Sequence, residues 1–267
     1  MTGSDSGLVI QDIVVKYGGH LAVNRISLAA PRGRITGLIG PNGAGKTTTF
    51  NACSGLLRPT SGEVHLFGHD VTALPPQRRA QRGLGRTFQR MELFDSLSVR
   101  ENVALGREAG IAGSRPWRHL RGARSDAQTI AEAVEDALRL CGISALASRR
   151  PADLSTGQRR LVELARCVAG GFSIMLLDEP SSGLDKQETV AFGQILRSLV
   201  EAQGVGILIV EHDMSLVMSV CDYLHVLDFG QPIFQGTPAE VNASDIVRAA
   251  YLGSEAVEVG LPAEVGV

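Results

Sequence analysis

The stretch GPNGAGKTT at residues 40–48 sets Gly40 and Gly45 before Lys46 and Thr47 in the pattern G-x-x-x-x-G-K-[ST]. That pattern suits a phosphate cradle. Glycines let a turn aim its backbone amides at anionic oxygens, and the helix that follows adds partial positive charge. On this reading Gly40, Pro41, Asn42, Gly43, Ala44 and Gly45 wrap the phosphates. Lys46 reaches the β and γ phosphates, Thr47 ligates magnesium, and Thr48 continues the same turn. A second group of polar residues, Asp178 and Glu179, ends the apolar run IMLLDEP. An acid at the carboxyl end of a buried strand can anchor magnesium, and the next acid can polarise an attacking water. His212 closes a third apolar run, LIVEHD. It is either a structural or exposed histidine, or a partner to the γ-phosphate that holds the water with Glu179.

A further anion site is suggested by LSTGQRRLVELARC at 154–167, where small polar residues lead straight into an apolar-periodic helix. Ser155 stands where an N-cap belongs, and the amides after it are free for an anion. A helix end contributes only about 0.3–2 kcal/mol, so such a site is weak alone and makes sense as half of a composite one. An ordinary capped helix is the competing reading.

These residues need strands and helices to bring them together. Residues 7–39 read as β-branched runs punctuated by glycine and proline, followed by a helix at 46–57 and a strand over GEVHLFG. A polar, proline-rich stretch at 70–82 precedes a short strand in LGRTFQ. From about 90 to 157 strand alternation is lost, and Ile130, Val134, Leu138 and Cys141 recur at helical spacing. Strand and helix alternate again from 173, with helices expected at 186–202 and 213–220, two short strands in YLHVLDFGQPIFQG, and a short helix near 244–252. That alternation predicts an α/β fold with a mostly parallel sheet. The tail from 254 shows no period and is expected to fray.

Bulk properties narrow the class. At 267 residues and 44% hydrophobic content the chain can bury a sizeable core, and a net charge of −2 offers no general attraction to nucleic acid. Four cysteines, Cys53, Cys141, Cys167 and Cys221, are scattered without zinc-site spacing and read as reduced core thiols. The polar start lacks the regions of a signal peptide, and no apolar run approaches a membrane span, so a cytoplasmic location is expected.

In order along the chain, GPNGAGKTT, TFQ with Gln89, LSTGQ, IMLLDEP, SSGLD and VEHD with His212 resemble the ATP-binding subunit of ABC transporters over roughly residues 8–253. The resemblance implies a P-loop NTPase core with an N-terminal antiparallel β subdomain and a helical ABC-specific subdomain at about 90–157, forming one ATPase domain over 7–253 ahead of a flexible tail at 254–267. It implies that ATP and Mg2+ are bound, with the nucleotide sandwiched between the Lys46 loop of one subunit and Ser155, Gly157 and Gln158 of another in a head-to-tail dimer. By the same resemblance Tyr17 stacks on adenine and Gln89 senses the γ-phosphate, joining the catalytic and metal-binding residues while facing the membrane subunit. Asp185 couples the two sites. One departure stands out: Thr156 occupies the first glycine of the family's usual Leu-Ser-Gly-Gly-Gln, while Ser155 and Gly157 are kept.

GRTFQRMELFDSLSVRENV, the long loop between Gly106 and Asp126, and the ending VEHDMSLVM to AYLG are similar to the ATPases of branched-chain amino-acid uptake systems, whose relatives import urea or other amides. That resemblance implies two permeases, a second ATPase and an extracytoplasmic receptor as partners, with the chain on the cytoplasmic face of the membrane. The loop's Arg107, Arg115, Arg118, Arg121 and Arg124, with Trp117, read as a solvated surface or as a contact for lipid headgroups or a permease. A soluble ABC ATPase acting on nucleic acid or ribosomes would carry a coiled-coil insertion or a second ATPase domain. Neither is present here.

Overall fold

A computed structural model describes residues 7–87, 93–112 and 123–258. Two sheets organise the chain. The first is antiparallel, built from β1 (Gly7–Tyr17), β2 (His20–Pro31), β4 (Ser61–Leu66) and β5 (His69–Asp70) in the order β2-β1-β4-β5. The second runs β10-β9-β3-β8-β7-β6, from β3 (Ile35–Ile39), β6 (Leu84–Arg86), β7 (Ile174–Asp178), β8 (Gly206–Val210), β9 (Tyr223–Asp228) and β10 (Gln231–Gly236). Its pairs are parallel except for the β9–β10 hairpin at one edge. The expected α/β fold with a mostly parallel sheet and a separate antiparallel sheet is what the chain forms.

The parallel sheet is buried on both faces, as crossover helices require. Because successive strand side chains alternate, Met175, Leu177, Ile207 and Ile209 enter one apolar core, while Ile174, Leu176, Leu208 and Val210 enter the other. The second core is shared with the antiparallel sheet and with α1 (Lys46–Ser54), through Phe50, Ala52 and Cys53. The first is closed by α6 (Lys186–Gln203) and α7 (Met214–Val220) and by a helical layer in which α3 (Val99–Ala112), α4 (Ala123–Leu140) and α5 (Thr156–Ala169) pack on one another. Val134, Leu138 and Cys141 all lie in that core, as their spacing predicts, with Ile130 packed against it.

Several ends differ from expectation. The helix expected to reach 57 stops at Ser54, because Gly55 turns left-handed (φ 82°) and terminates it. Within the proline-rich stretch lies α2 (Pro76–Ala80), started by the proline that suggested a loop. Two helices follow β10 where one was expected. α8 (Pro238–Ala243) is opened by a capping box between Thr237 and Glu240, and α9 (Asp245–Glu258) runs past the expected end near 252. All four cysteines are free and buried, and burial pushes each thiol up to about 12. Among the described residues no helix is long and apolar enough to cross a membrane.

Candidate functional site

The loop between β3 and α1 is shaped by contacts that only glycine allows. Gly40 (φ 149°) lies so close to the Leu227 carbonyl that a Cβ there would overlap it, and Gly45 (φ 91°) would place a Cβ 2.8 Å from the Ala22 carbonyl oxygen. The loop is also tied from behind. The Gly230 amide, in the β9–β10 turn, donates to the Ala44 carbonyl at 3.2 Å, and the Asn24 amide donates to Gly230 at 2.8 Å. Tyr251 of α9 sits beside the Gly40 backbone; burial pushes its phenol up to about 12, against a smaller pull from Gly40.

Lys46 folds back over this loop, donating to the Gly40 carbonyl at 2.6 Å and the Pro41 carbonyl at 2.9 Å. Burial lowers its pKa, and the nearby Glu179 carboxylate opposes that shift. A cavity of about 340 Å³ opens above, lined by loop residues 42–48 together with Tyr17, His20, Ala22 and Glu179. Tyr17 ends β1 and is 52% exposed, so it is no core aromatic. Thr47 stands exposed in the first turn of α1.

Asp178 is the last residue of β7 and pairs with Val210, the last of β8, so the residues after both strands emerge at one sheet edge. Asp178 is 2% exposed. Burial raises its pKa, while Arg86 works in the opposite direction from β6 by placing Nη2 3.2 Å from Asp178 Oδ2. The same guanidinium donates to Asn51 Oδ1 (2.8 Å) and Ser54 Oγ (2.7 Å) and lies over the Phe50 ring, so it joins α1 to β7. Glu179 follows in left-handed backbone (φ 45°), a conformation that costs a non-glycine residue about 1–2 kcal/mol and that the hydrogen bond its amide donates to the Val210 carbonyl helps hold. His212 shares the edge, but its side chain is 62% exposed and stands apart from the residues lining the cavity.

Ser155 caps α5 as expected. Its Oγ accepts the Gln158 amide, and the Gln158 side chain accepts the Ser155 amide, each at 3.2 Å. Asp185 caps α6 through the same reciprocal arrangement with Glu188. The two helix starts abut: a Cβ at Gly157 would overlap the Glu188 carboxylate, and one at Gly183 would meet Thr156 Cγ2 at 3.1 Å. A side chain at 157 would therefore displace the Glu188 carboxylate from its capping position at Asp185. Ser155, Gly157, Gln158 and Asp185 do not line the cavity of their own chain. Gln89 and the loop residues Arg115, Trp117, Arg118 and Arg121 lie outside the described residues. Among the described residues no cluster of three or more His, Cys, Asp or Glu forms a metal site, so a cation here needs hydroxyl and phosphate oxygens to complete its shell.

Three residues at or behind this site escaped the sequence reading. Arg86 was hidden inside an expected strand, and Glu211 stood beside the histidine that drew attention. Arg79, 1% exposed, donates to the Ala52 and Cys53 carbonyls at 2.7 Å each and so caps the C-terminal end of α1.

Residues 23–182 match the family model described as ABC transporter. The chain belongs to the ABC transporter ATP-binding family. It is thus an ATPase subunit of a transporter. A second model, described as branched-chain amino acid ATP-binding cassette transporter, matches residues 231–257. The cassette is 37% identical over 252 residues to the high-affinity branched-chain amino acid transport ATP-binding protein LivG of Salmonella typhimurium, covering 92% of this chain and 97% of that one. It is 34% identical to BraF of Pseudomonas aeruginosa, which carries the same description, over 254 residues with the same coverage. Among solved structures it resembles MJ1267, an ATP-binding cassette in its ADP conformation, at 27% identity and a TM-score of 0.79, covering 92% of this chain and 98% of that one.

Proposed function

We propose that this cassette energises the import of branched-chain amino acids, as one of two ATPase subunits in a head-to-tail dimer on the cytoplasmic face of the membrane. Its partners are two permease subunits and, indirectly, an extracytoplasmic receptor. The observation that carries this reading is the match of β10, α8 and α9 to the branched-chain amino acid model, because those elements lie beyond the residues matched by the general ABC model. The names of LivG and BraF support the same substrate class.

In the proposed reaction ATP enters the cavity with its adenine on Tyr17, and Lys46 exchanges its two loop carbonyls for β and γ phosphate oxygens. Thr47, Asp178 and Gln89 would hold a magnesium ion, which would supply charge neutralisation for the phosphates. Arg86 pairs with the buried Asp178 carboxylate and offsets part of the burial that raises its pKa. Glu179 takes a proton from the water that attacks the γ-phosphorus, and His212 turns inward to hold that water and the phosphoryl oxygens. ADP departs as the bond to the γ-phosphorus breaks. Ser155, Gly157 and Gln158 close over the phosphates of the facing subunit, so ATP joins the subunits and hydrolysis releases them. The exposed Thr156 occupies the first turn of α5 beside Gly183 and leaves the Ser155 cap intact.

The test is recovery of tagged Glu179→Gln protein with ATP and magnesium from detergent-solubilised native membranes to identify its partners, followed by uptake assays on the identified system with the parent, hydrolysis-competent ATPase. Two multi-span permeases, a second ATPase and ATP-dependent uptake of leucine, isoleucine or valine are expected. Uptake of a different solute overturns the substrate class. Recovery of ribosomes or nucleic acid in place of permeases overturns the transporter assignment.

A further inference from the structure

Glu211 separates β8 from His212 and is the one carboxylate at this edge with no solvent exposure at all among the described residues. Its two oxygens serve two different segments. Oε1 accepts the amide of Ser181 at 2.8 Å, in the turn that follows Glu179. Oε2 accepts the amides of His212 at 3.0 Å and Asp213 at 3.3 Å. A buried carboxylate could seal loose amides anywhere. This one ties together the segments carrying the two residues assigned to water activation, and each bond falls within two residues of one of them. Glu179 holds a left-handed φ of 45°, a conformation that persists only where neighbouring contacts over-determine it. The Ser182 amide bonds the Glu179 carbonyl at 3.1 Å, and the Ser181 amide is fixed by Glu211.

We propose that Glu211 is a positioning residue for ATP hydrolysis, a carboxylate brace that fixes Glu179 and His212 relative to each other by bonding the backbone beside both. The proposal rests on the assignment of Glu179 and His212 to the hydrolytic step. Glutamine at 211 fills the same volume but offers one acceptor oxygen and an NH2 group, which confronts at least one backbone donor with another donor. The brace then opens on one side while the Lys46 loop stays intact. The split expected is therefore in turnover and not in nucleotide affinity.

The experiment compares the full chain with Glu211→Gln, Glu211→Asp and Glu179→Gln variants, measuring equilibrium ATP binding, steady-state hydrolysis per binding-competent site, and amide exchange with magnesium present. For Glu211→Gln, turnover per site falls on the order of 10- to 100-fold, as expected for small misplacement of reacting groups, while ATP affinity stays within about twofold. Amide exchange rises in the peptides spanning Ser181 and His212–Asp213 and not in the one spanning Lys46. Glu211→Asp, with the charge kept and the reach shortened, shows the same split to a lesser degree and serves if glutamine impairs folding. Unchanged turnover per site in both variants, with Glu179→Gln impaired, overturns the brace alone. Loss of ATP affinity in step with turnover also overturns it, by showing a general structural role. Normal turnover in Glu179→Gln removes the underlying assignment and the brace with it.

Discussion

Arg86 and Asp178 meet inside the cassette, Nη2 to Oδ2 at 3.2 Å, with side chains 14% and 3% exposed. Neither tolerates being left alone there, since an unpaired buried charge costs more than the pair contributes. Arg86→Met should therefore lower stability to chemical denaturation by about 3–5 kcal/mol, and adding Asp178→Asn should recover part of the loss. A double variant no better than Arg86→Met would mean that the guanidinium matters for its bonds to Asn51 and Ser54 instead.

Glu179 lines the cavity beside Lys46, and the two are tested as a pair. Glu179→Gln should keep ATP binding while turnover falls about 10²- to 10⁴-fold, the range for a lost general base. Lys46→Ala should instead abolish useful affinity. A tight ATP complex of Lys46→Ala, read by equilibrium binding, would contradict the cradle derived from its carbonyl-bound resting position.

Arg79 satisfies four carbonyls at once, those of Ala52, Cys53, Leu74 and Thr72. Methionine fills the space but removes the guanidinium from all four, leaving Ala52 only its bond from the Gly55 amide. Arg79→Met should cost on the order of 3 kcal/mol. At that size the thermal midpoint drops by roughly 6–12 °C. A midpoint within a degree or two of the parent would show that water replaces the guanidinium.

His225, buried in β9, has its pKa pushed down by burial from 6.5 to about 4. The unfolded histidine binds its proton first as pH falls, so stability drops between pH 6.5 and 4 and levels off below that window. At pH 5 this one group accounts for about 2 kcal/mol. His225→Leu should shrink the difference in unfolding free energy between pH 7 and pH 5 by that amount, measured by denaturant titration at both values. An unchanged difference would place the acid sensitivity elsewhere.

The parts of the site that could be read from the sequence are those made locally. The loop at 40–48, the strand ending in Asp178 and Glu179, and the Ser155 cap each depend on a few consecutive residues, and their period and residue types announced them. The reading faltered where a side chain works at a distance. Arg79 bonds a carbonyl 26 positions away, Glu211 an amide 30 away and Arg86 a carboxylate 92 away. No local period records such pairings. Gly157 shows the converse case, in which the right residue was singled out but the Glu188 carboxylate supplies a packing reason that the motif does not state. The extra helices fell in proline-containing stretches, where Pro76 and Pro238 start helices instead of breaking them.

The phosphate loop is held from behind by the Gly230 amide on Ala44, by the Leu227 carbonyl against Gly40 and by Tyr251 beside the same glycine. Folding has already removed the conformational freedom of this segment, so an arriving nucleotide meets a template instead of a coil that must be ordered around it.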